Sequence, residues 1–399
     1  MAAGSVRLLD YCATGNVAVE GWLHEEALLL TLALHRQQRA AGLAGGVAEI
    51  GVYHGRFFLL LALCCEGAER ALGVDLFDRL SPGREAAVRG DREAFEGHLA
   101  TWGVADRTVV RQQDSLELTP DEVRAAVGAA GARLFSVDGA HSFKHAIADL
   151  RLAAASLAPG GVVLLDDFLH AEWLGVTEAA VALLREPSPP LAPLAICGGK
   201  LALCAPADHA AWMDRLGDCL LPYAREAERV LFCGVECWRF WLRSGEGAWA
   251  LWGEKPLARL DVGGPVPLGG TLGEGWSFPE TWGRWTVADR AECAVALPAG
   301  MPAPPRRLAI HLGAMPPPPL TGKERHAQLT LGEAGALPPM VLREEPMRWH
   351  LFNLPRLPAE WGMLPVTVES GQLVSPASLG RGDDIRALGV SLSTILLLP

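Results

Sequence analysis

Four residues carry the strongest chemical signal in the chain. The runs Ser136-Val137-Asp138-Gly139-Ala140-His141 and Leu164-Leu165-Asp166-Asp167-Phe168 each close a short apolar stretch that reads as a buried strand. If those strands are neighbours, about 5 Å apart, their carboxyl ends gather Asp138, Asp166 and Asp167 at one spot. Three carboxylates with no basic residue between them repel unless a cation sits there. All-oxygen ligands suit a hard ion such as Mg²⁺, and Ca²⁺ or Mn²⁺ also fits. Non-haem iron is disfavoured, because the two-His-one-carboxylate set is missing. His141 lies three residues past Asp138 on the same lip, where it suits a general base acting on a hydroxyl. The structural alternative is that Asp166 or Asp167 caps the next helix and His141 caps the helix starting near Phe143.

A second group of residues reads as a cofactor loop. The first strand ends in Ala48-Glu49-Ile50-Gly51-Val52-Tyr53-His54-Gly55, with a helix after it. In a doubly wound sheet this turn lies in the ligand crevice, and Gly51 and Gly55 there let the backbone approach a ligand. The spacing is G-x-x-x-G rather than the dinucleotide G-x-G-x-x-G. Glu49 beside the turn suits a cationic or amine-bearing ligand better than a pyrophosphate. Asp75 closes the second strand, where an acid can accept from ribose hydroxyls. Asp114, followed by Ser115 at the tip of the third, is placed to meet an adenine amine. The bland reading is a tight turn and two helix caps. Three such signals at successive strand tips favour a nucleoside-bearing ligand. Among other histidines, His54 could touch cofactor or substrate, His145 faces solvent, and His170 could reach the substrate.

The elements that must hold these groups follow from periodicity. Apolar runs at Val47–Ile50, Ala71–Val74, Thr108–Val110, Arg133–Val137 and Gly161–Leu165 alternate with helical patterns at Phe57–Cys65, Ala94–Trp102, Asp121–Ala129 and Phe143–Leu157. Such alternation predicts an α/β, Rossmann-like doubly wound sheet covered on both faces. The runs Leu194–Cys197 and Leu201–Cys204, separated by Gly198-Gly199-Lys200, predict an antiparallel hairpin at the sheet edge. Residues 219–254, containing VLFCGVECWRFWLR, read as a packed connector.

After about residue 255 prolines multiply, including the run Pro316 to Pro319. Short β-compatible pieces follow at Trp285–Val287, Cys293–Leu297, Leu308–His311, Ala327–Leu331, Met347–Phe352, Leu364–Glu369 and Ile385–Leu392. They predict an all-β sandwich. The expected division is 1–254 and 255–399. The substrate pocket is expected from residues 1–25, 78–92 and 168–180, around the carboxyl ends of the strands.

Composition narrows the partners. With 35 basic against 46 acidic residues, the net charge of -11 argues against a nucleic-acid backbone. Nine cysteines without a CxxC pair argue against zinc and suit reduced thiols, with Cys64 and Cys65 as core packing. The start MAAGSVRLLDYCATG has no signal-peptide pattern, and the apolar run Ala27 to Leu34 is too short for a bilayer. A cytoplasmic protein without a membrane span is expected.

Taken together, EIGVYHG, GVDLFD, VDGAHSFKHAIADL and APGGVVLLDDF resemble the class I methyltransferases grouped with macrolide-sugar and related sugar O-methyltransferases, over residues 45 to 170. The resemblance implies S-adenosylmethionine as methyl donor, contacted at Glu49, Gly51, Tyr53, Gly55, Asp75, Asp114 and Ser115. It also implies a divalent ion, Mg²⁺ or another, on Asp138, Asp166 and Asp167, with His141 as base. One departure is Phe57, where many relatives carry a small hydroxyl residue. Glu274 to Thr286, Ser375 to Gly380 and Asp383 to Val390 resemble β-sandwich modules attached to enzymes of bacterial surface polysaccharides. There Trp276, Trp282 and Trp285 either stack on sugars or fill the core. The resulting expectation is an O-methyltransferase acting on a sugar hydroxyl of a polysaccharide, glycolipid or glycosylated product, and forming a homo-oligomer. An inactive carbohydrate-binding scaffold and a methyltransferase for a small non-sugar acceptor are the alternatives. A nicotinamide oxidoreductase is disfavoured by the missing GxGxxG.

Overall fold

A computed structural model describes residues 3–13, 15–77, 90–242, 256–280, 283–301, 304–314, 325–342, 347–357, 362–371, 373–380 and 382–398. The chain divides into two compact units, Met1–Leu251 and Trp252–Pro399.

In the first unit the chain runs α1 (Ala3–Ala13), α2 (Glu25–Ala40), β1 (Gly46–Ile50), α3 (Arg56–Leu63), β2 (Ala71–Asp75), α4 (Arg92–Thr101) and β3 (Thr108–Gln112). It continues through α5 (Pro120–Val127), β4 (Ala132–Val137), α6 (Phe143–Ser156), β5 (Leu157–Leu165), α7 (Leu174–Leu184), β6 (Ala192–Cys197), β7 (Lys200–Cys204), α8 (His209–Leu220), β8 (Ala224–Phe232) and β9 (Val235–Leu242). All nine strands form one sheet in the order β3-β2-β1-β4-β5-β7-β6-β9-β8. The first five are mutually parallel. The order reverses between β1 and β4, so a crevice opens there at the strand carboxyl ends. Strands buried on both faces explain the unbroken apolar runs: every residue of β1 and β4 is buried. Ile50, Val74, Phe135 and Leu165 pack with Val123, Leu150 and Leu183 of the helices in one core.

The helix ends follow their capping chemistry. Asp91 caps α4, and Thr119 with Glu122 makes a capping box on α5. Ser142, rather than His141, caps α6 by accepting from the His145 amide. Neither Asp166 nor Asp167 caps α7, whose N-cap is Trp173 with no side-chain bond.

Two expectations are corrected. The β6–β7 hairpin forms, with Cys197 opposite Lys200 across the left-handed pair Gly198 and Gly199, but it is interior and not the edge. The expected connector is instead a further hairpin. β8 and β9 close across Cys233 (φ 50) and Gly234 (φ 85), and β9 joins β6 in parallel. A two-residue turn with both φ positive is normally built from Asn-Gly or Asp-Gly, so Cys-Gly gave little signal.

The second unit contains β10 (Ala258–Asp261), β11 (Gly270–Leu272), β12 (Arg284–Trp285), β13 (Arg290–Ala296), β14 (Arg307–Ala314), β15 (Arg325–Thr330), β16 (Met340–Leu342), β17 (Arg348–Asn353), β18 (Met363–Glu369) and β19 (Val390–Leu398). One sheet is ordered β10-β19-β14-β17, with β12 also on β19; the other is β11-β13-β18-β15-β16. All described pairings within these two sheets are antiparallel. Leu260, Ile310 and Ile395 of one share a core with Val295, Leu329 and Val366 of the other, which makes a sandwich. The last strand starts at Val390, later than the expected Ile385, which is 83% exposed in the preceding loop. The run Pro316 to Pro319 and Trp282 lie outside the described residues. Trp276 is half-buried against the sandwich core and donates its indole N–H to the Glu292 carbonyl at 2.6 Å. The exposed aromatic nearby is Phe278, with the Arg386 guanidinium 4.4 Å from its ring centre.

All nine cysteines are free; seven are buried, and Cys219 and Cys233 are half-buried. No described helix is long and apolar enough to cross a membrane.

Candidate active site

The crevice is built from tight turns at the strand tips. Four of the five described non-glycine residues with positive φ are Tyr53, Phe77, Asp167 and Leu169, all just beyond β1, β2 or β5. Backbone conformations of this kind cost energy and persist only where surrounding contacts fix them. At Asp75 the contacts are plain: Oδ2 accepts the Tyr53 amide at 2.8 Å and Oδ1 accepts the Phe77 amide at 2.7 Å. Asp75 thus ties the tips of β1 and β2 together, and each oxygen keeps a second lone pair for an incoming hydroxyl. Burial raises its pKa against the pull of these backbone N–H groups.

The glycines also have a cause within the protein itself. At Gly51 (φ 85) an added Cβ would fall 1.8 Å from the Asp138 carbonyl oxygen; at Gly55 (φ 93) it would fall 2.7 Å from the Phe95 ring. Both are required by packing within the protein, before any ligand is considered. Glu49 also lies deeper than expected. It is 1% exposed, accepts from the Ser136 hydroxyl at 2.9 Å, and has its pKa pushed well above the carboxylate range by burial and by Asp138.

Asp114 stands at the tip of β3, where it accepts the Leu116 amide at 3.0 Å and lies 3.8 Å from His145. Ser115 faces Asp149, a carboxyl that the sequence reading passed over as one polar position in an apolar helix. Asp149 is 1% exposed, and burial raises its pKa to about 7 while Ser115 opposes the shift. Asp149 shares a small cavity under the tips of β4 and β5 with Asp138, His141 and Asp166.

The tips of β4 and β5 bring Asp138, Asp166, Asp167 and His141 together, as their strand pairing requires. His141 Nε2 lies 2.9 Å from Asp167 Oδ2 and 3.8 Å from Asp138 Oδ1, and its ring stacks on Trp173 at 4.3 Å. Burial opposes the imidazolium, yet the two carboxylates outweigh it and raise the pKa to about 10. Asp138 is pushed up to about 7 by burial and by Asp166. One donor atom each from Asp138, His141 and Asp167 falls within 4.8 Å of the others, a set that fits a divalent ion.

The premise that no basic residue stands among the acids is corrected. Lys200, at the start of β7, is 2% exposed and places Nζ 2.7 Å from Asp166 Oδ2. Burial opposes the charge of Asp166, but Lys200 outweighs it and holds the pKa below the usual range. The same ammonium lies 4.0 Å from the ring centre of Phe57. A lysine opening an otherwise apolar strand was the available signal; it was read only as part of a turn.

Residues 48–168 match the family model described as "Methyltransferase domain". The match lies wholly within the first unit. Similar solved structures include the O-methyltransferase NovP, at 13% identity over 45% of this chain and 78% of that chain, with a TM-score of 0.39. They also include CalS11, a TDP-rhamnose 3'-O-methyltransferase of calicheamicin biosynthesis, at 23% over 44% and 77%, TM-score 0.33. A third is an O-methyltransferase from Bacillus cereus in complex with SAH, at 14% over 51% and 91%, TM-score 0.34. No curated protein matches the chain.

On the lip of the crevice, Tyr53 donates to Glu20 at 2.7 Å and stacks on His54 at 4.0 Å. Trp22 lies beside Tyr53 at 5.5 Å and is 70% exposed. His54 is occupied here, 3.6 Å from Glu20. His145 is occupied by Ser142 at 2.7 Å. His170 is bound locally, accepting the Glu172 amide at 3.3 Å. Of the residues expected to shape the substrate pocket, 78–89 lie outside those described.

Proposed function

We propose that this methyltransferase domain acts on the hydroxyl of a sugar, carried on a glycan, glycolipid or glycosylated metabolite, with a divalent cation such as Mg²⁺ at the tips of β4 and β5. The observation that carries the reading is the Asp138–His141–Asp167 cluster at the crevice of a methyltransferase domain. An inactive scaffold has no need of a histidine held between two acids. The exposed face of Trp22 at the crevice mouth supports a sugar acceptor, since an amphipathic ring can pack on the apolar face of a pyranose.

S-adenosylmethionine, held at the tips of β1 to β3 by Asp75, Asp114 and the Gly51–Gly55 turn, supplies a methyl group on a positively charged sulfur. The chain's task is then positioning. His141 is held by Trp173 and Asp167 at the tips of β4 and β5, where the acceptor hydroxyl would approach. Between two carboxylates His141 holds its proton; Asp138 and Asp167 would hold the cation, whose charge would let that proton pass to solvent and would polarise the acceptor hydroxyl. Neutral His141 would take the hydroxyl proton as the acceptor oxygen bonds the methyl carbon and the sulfur–methyl bond breaks, which leaves S-adenosylhomocysteine.

The test is calorimetric titration with S-adenosylhomocysteine, with and without Mg²⁺, followed by mass-spectrometric screening of nucleotide sugars for a gain of one methyl. Binding at micromolar level that is lost in Asp75→Ala, with a methylated sugar product, is the expected result. Absence of binding would remove the donor site and the reading with it. Methylation of non-sugar hydroxyls alone would transfer the acceptor assignment to small metabolites.

A further inference from the structure

The geometry points to Lys200 as a positioning residue that removes Asp166 from the cation-binding set and leaves Asp138 and Asp167 as the carboxylate ligands. This rests on the proposed cation-assisted methyl transfer and goes beyond it, since it assigns a role to a residue outside the matched domain, residues 48–168.

Three observations place the lysine firmly. First, the β6–β7 turn is anchored to the acidic segment itself, because the Phe168 amide donates to the Gly199 carbonyl at 3.1 Å. Leu201 pairs with Leu165, so Lys200 comes level with the start of the Asp166-Asp167 pair. Second, the ammonium is bracketed by Asp166 Oδ2 at 2.7 Å and by the face of Phe57 at 4.0 Å. A carboxylate and an aromatic face together stabilise a desolvated ammonium. Third, Lys200 is 2% exposed and so has no water to retreat into.

Lys200 competes with any ion for Asp166 Oδ2, and Asp166 is outside the donor set that Asp138, His141 and Asp167 form. Lys200 also acts on Asp138 through space, but its ion pair is with Asp166, whereas Asp138 and Asp167 face His141. Phe57 belongs to the same device. It stands in the first turn of α3, where the family resemblance leads one to expect a small hydroxyl residue, and here it supplies the second face of the lysine site.

The test is Mn²⁺ binding, followed by electron paramagnetic resonance on the full-length chain and independent of turnover. In the parent background Asp166→Asn should change Mn²⁺ affinity by less than about threefold, whereas Asp167→Asn and Asp138→Asn should each weaken it by more than about tenfold. Lys200→Met should release Asp166 and tighten binding by about tenfold or more, and the gain should vanish in the double variant Lys200→Met/Asp166→Asn. A merely structural lysine would not increase affinity when removed. If Asp166→Asn weakens binding as much as Asp167→Asn, the inference is overturned. It is also overturned if a folded Lys200→Met binds no more tightly than the parent. Should Lys200→Met fail to fold, the comparison of Asp166→Asn with Asp167→Asn decides alone. Absence of Mn²⁺ binding in every variant, with S-adenosylhomocysteine binding intact, overturns both this inference and the cation reading while the methyltransferase domain stands.

Discussion

Asp149 shows how a single buried carboxyl in a crevice wall registers in the stability of the whole unit. Burial raises its pKa to about 7; in the unfolded chain it titrates near ~3.9. Between those values the folded state holds more protons than the unfolded state. The stability contributed is therefore largest at and below about pH 4 and is lost as pH rises through 7. Asp149→Asn should unfold like the parent at pH 4. At pH 8 it should be more stable, by on the order of a few kcal/mol. Denaturant melts at the two pH values check this, and equal stability at pH 8 would contradict it. At this scale the acids and His141 were legible from their positions at the ends of apolar runs. Lys200 and Asp149 were not, because a lone charge in an apolar segment has no pattern and its partner is decided by strand pairing far along the chain.

At the scale of elements, boundaries followed where capping chemistry was local. Thr119 and Glu122 exchange hydrogen bonds reciprocally, with Thr119 N donating to Glu122 Oε2 at 2.9 Å and Glu122 N to Thr119 Oγ1 at 3.4 Å. Thr119→Ala should lower stability by about 1 kcal/mol and leave S-adenosylhomocysteine affinity unchanged, since Thr119 lies at neither the acidic cluster nor the Gly51–Gly55 turn. A calorimetric titration beside a melting curve separates the two effects. Elements were missed where the local signal was weak. The β8–β9 hairpin turns on Cys233-Gly234, and β8 carries the charged pairs Arg225-Glu226 and Glu228-Arg229 in place of an apolar alternation. That charge also suits its place as an edge strand. The interior place of the β6–β7 hairpin depends on β9 arriving at β6, a pairing between residues about forty positions apart.

At the scale of the molecule, the change from strand–helix alternation to short strands with many prolines marked two kinds of unit, and each has its own apolar core. The thiols are divided between them unequally: eight of the nine cysteines fall in Met1–Leu251, and Cys293 alone in Trp252–Pro399. Burial pushes the Cys64, Cys204 and Cys293 thiols up to about 12, so almost no thiolate exists at neutral pH. Packing thereby protects these three thiols against alkylating and oxidising reagents. Each of these three thiols becomes reactive only when the structure around it opens, so its modification rate is a clock for that opening. With a single thiol in the sandwich, Cys293 should time that unit by itself in a peptide-resolved labelling experiment on the intact chain. Rapid modification of Cys293 under native conditions would mean that the sandwich breathes far more than its sealed core implies.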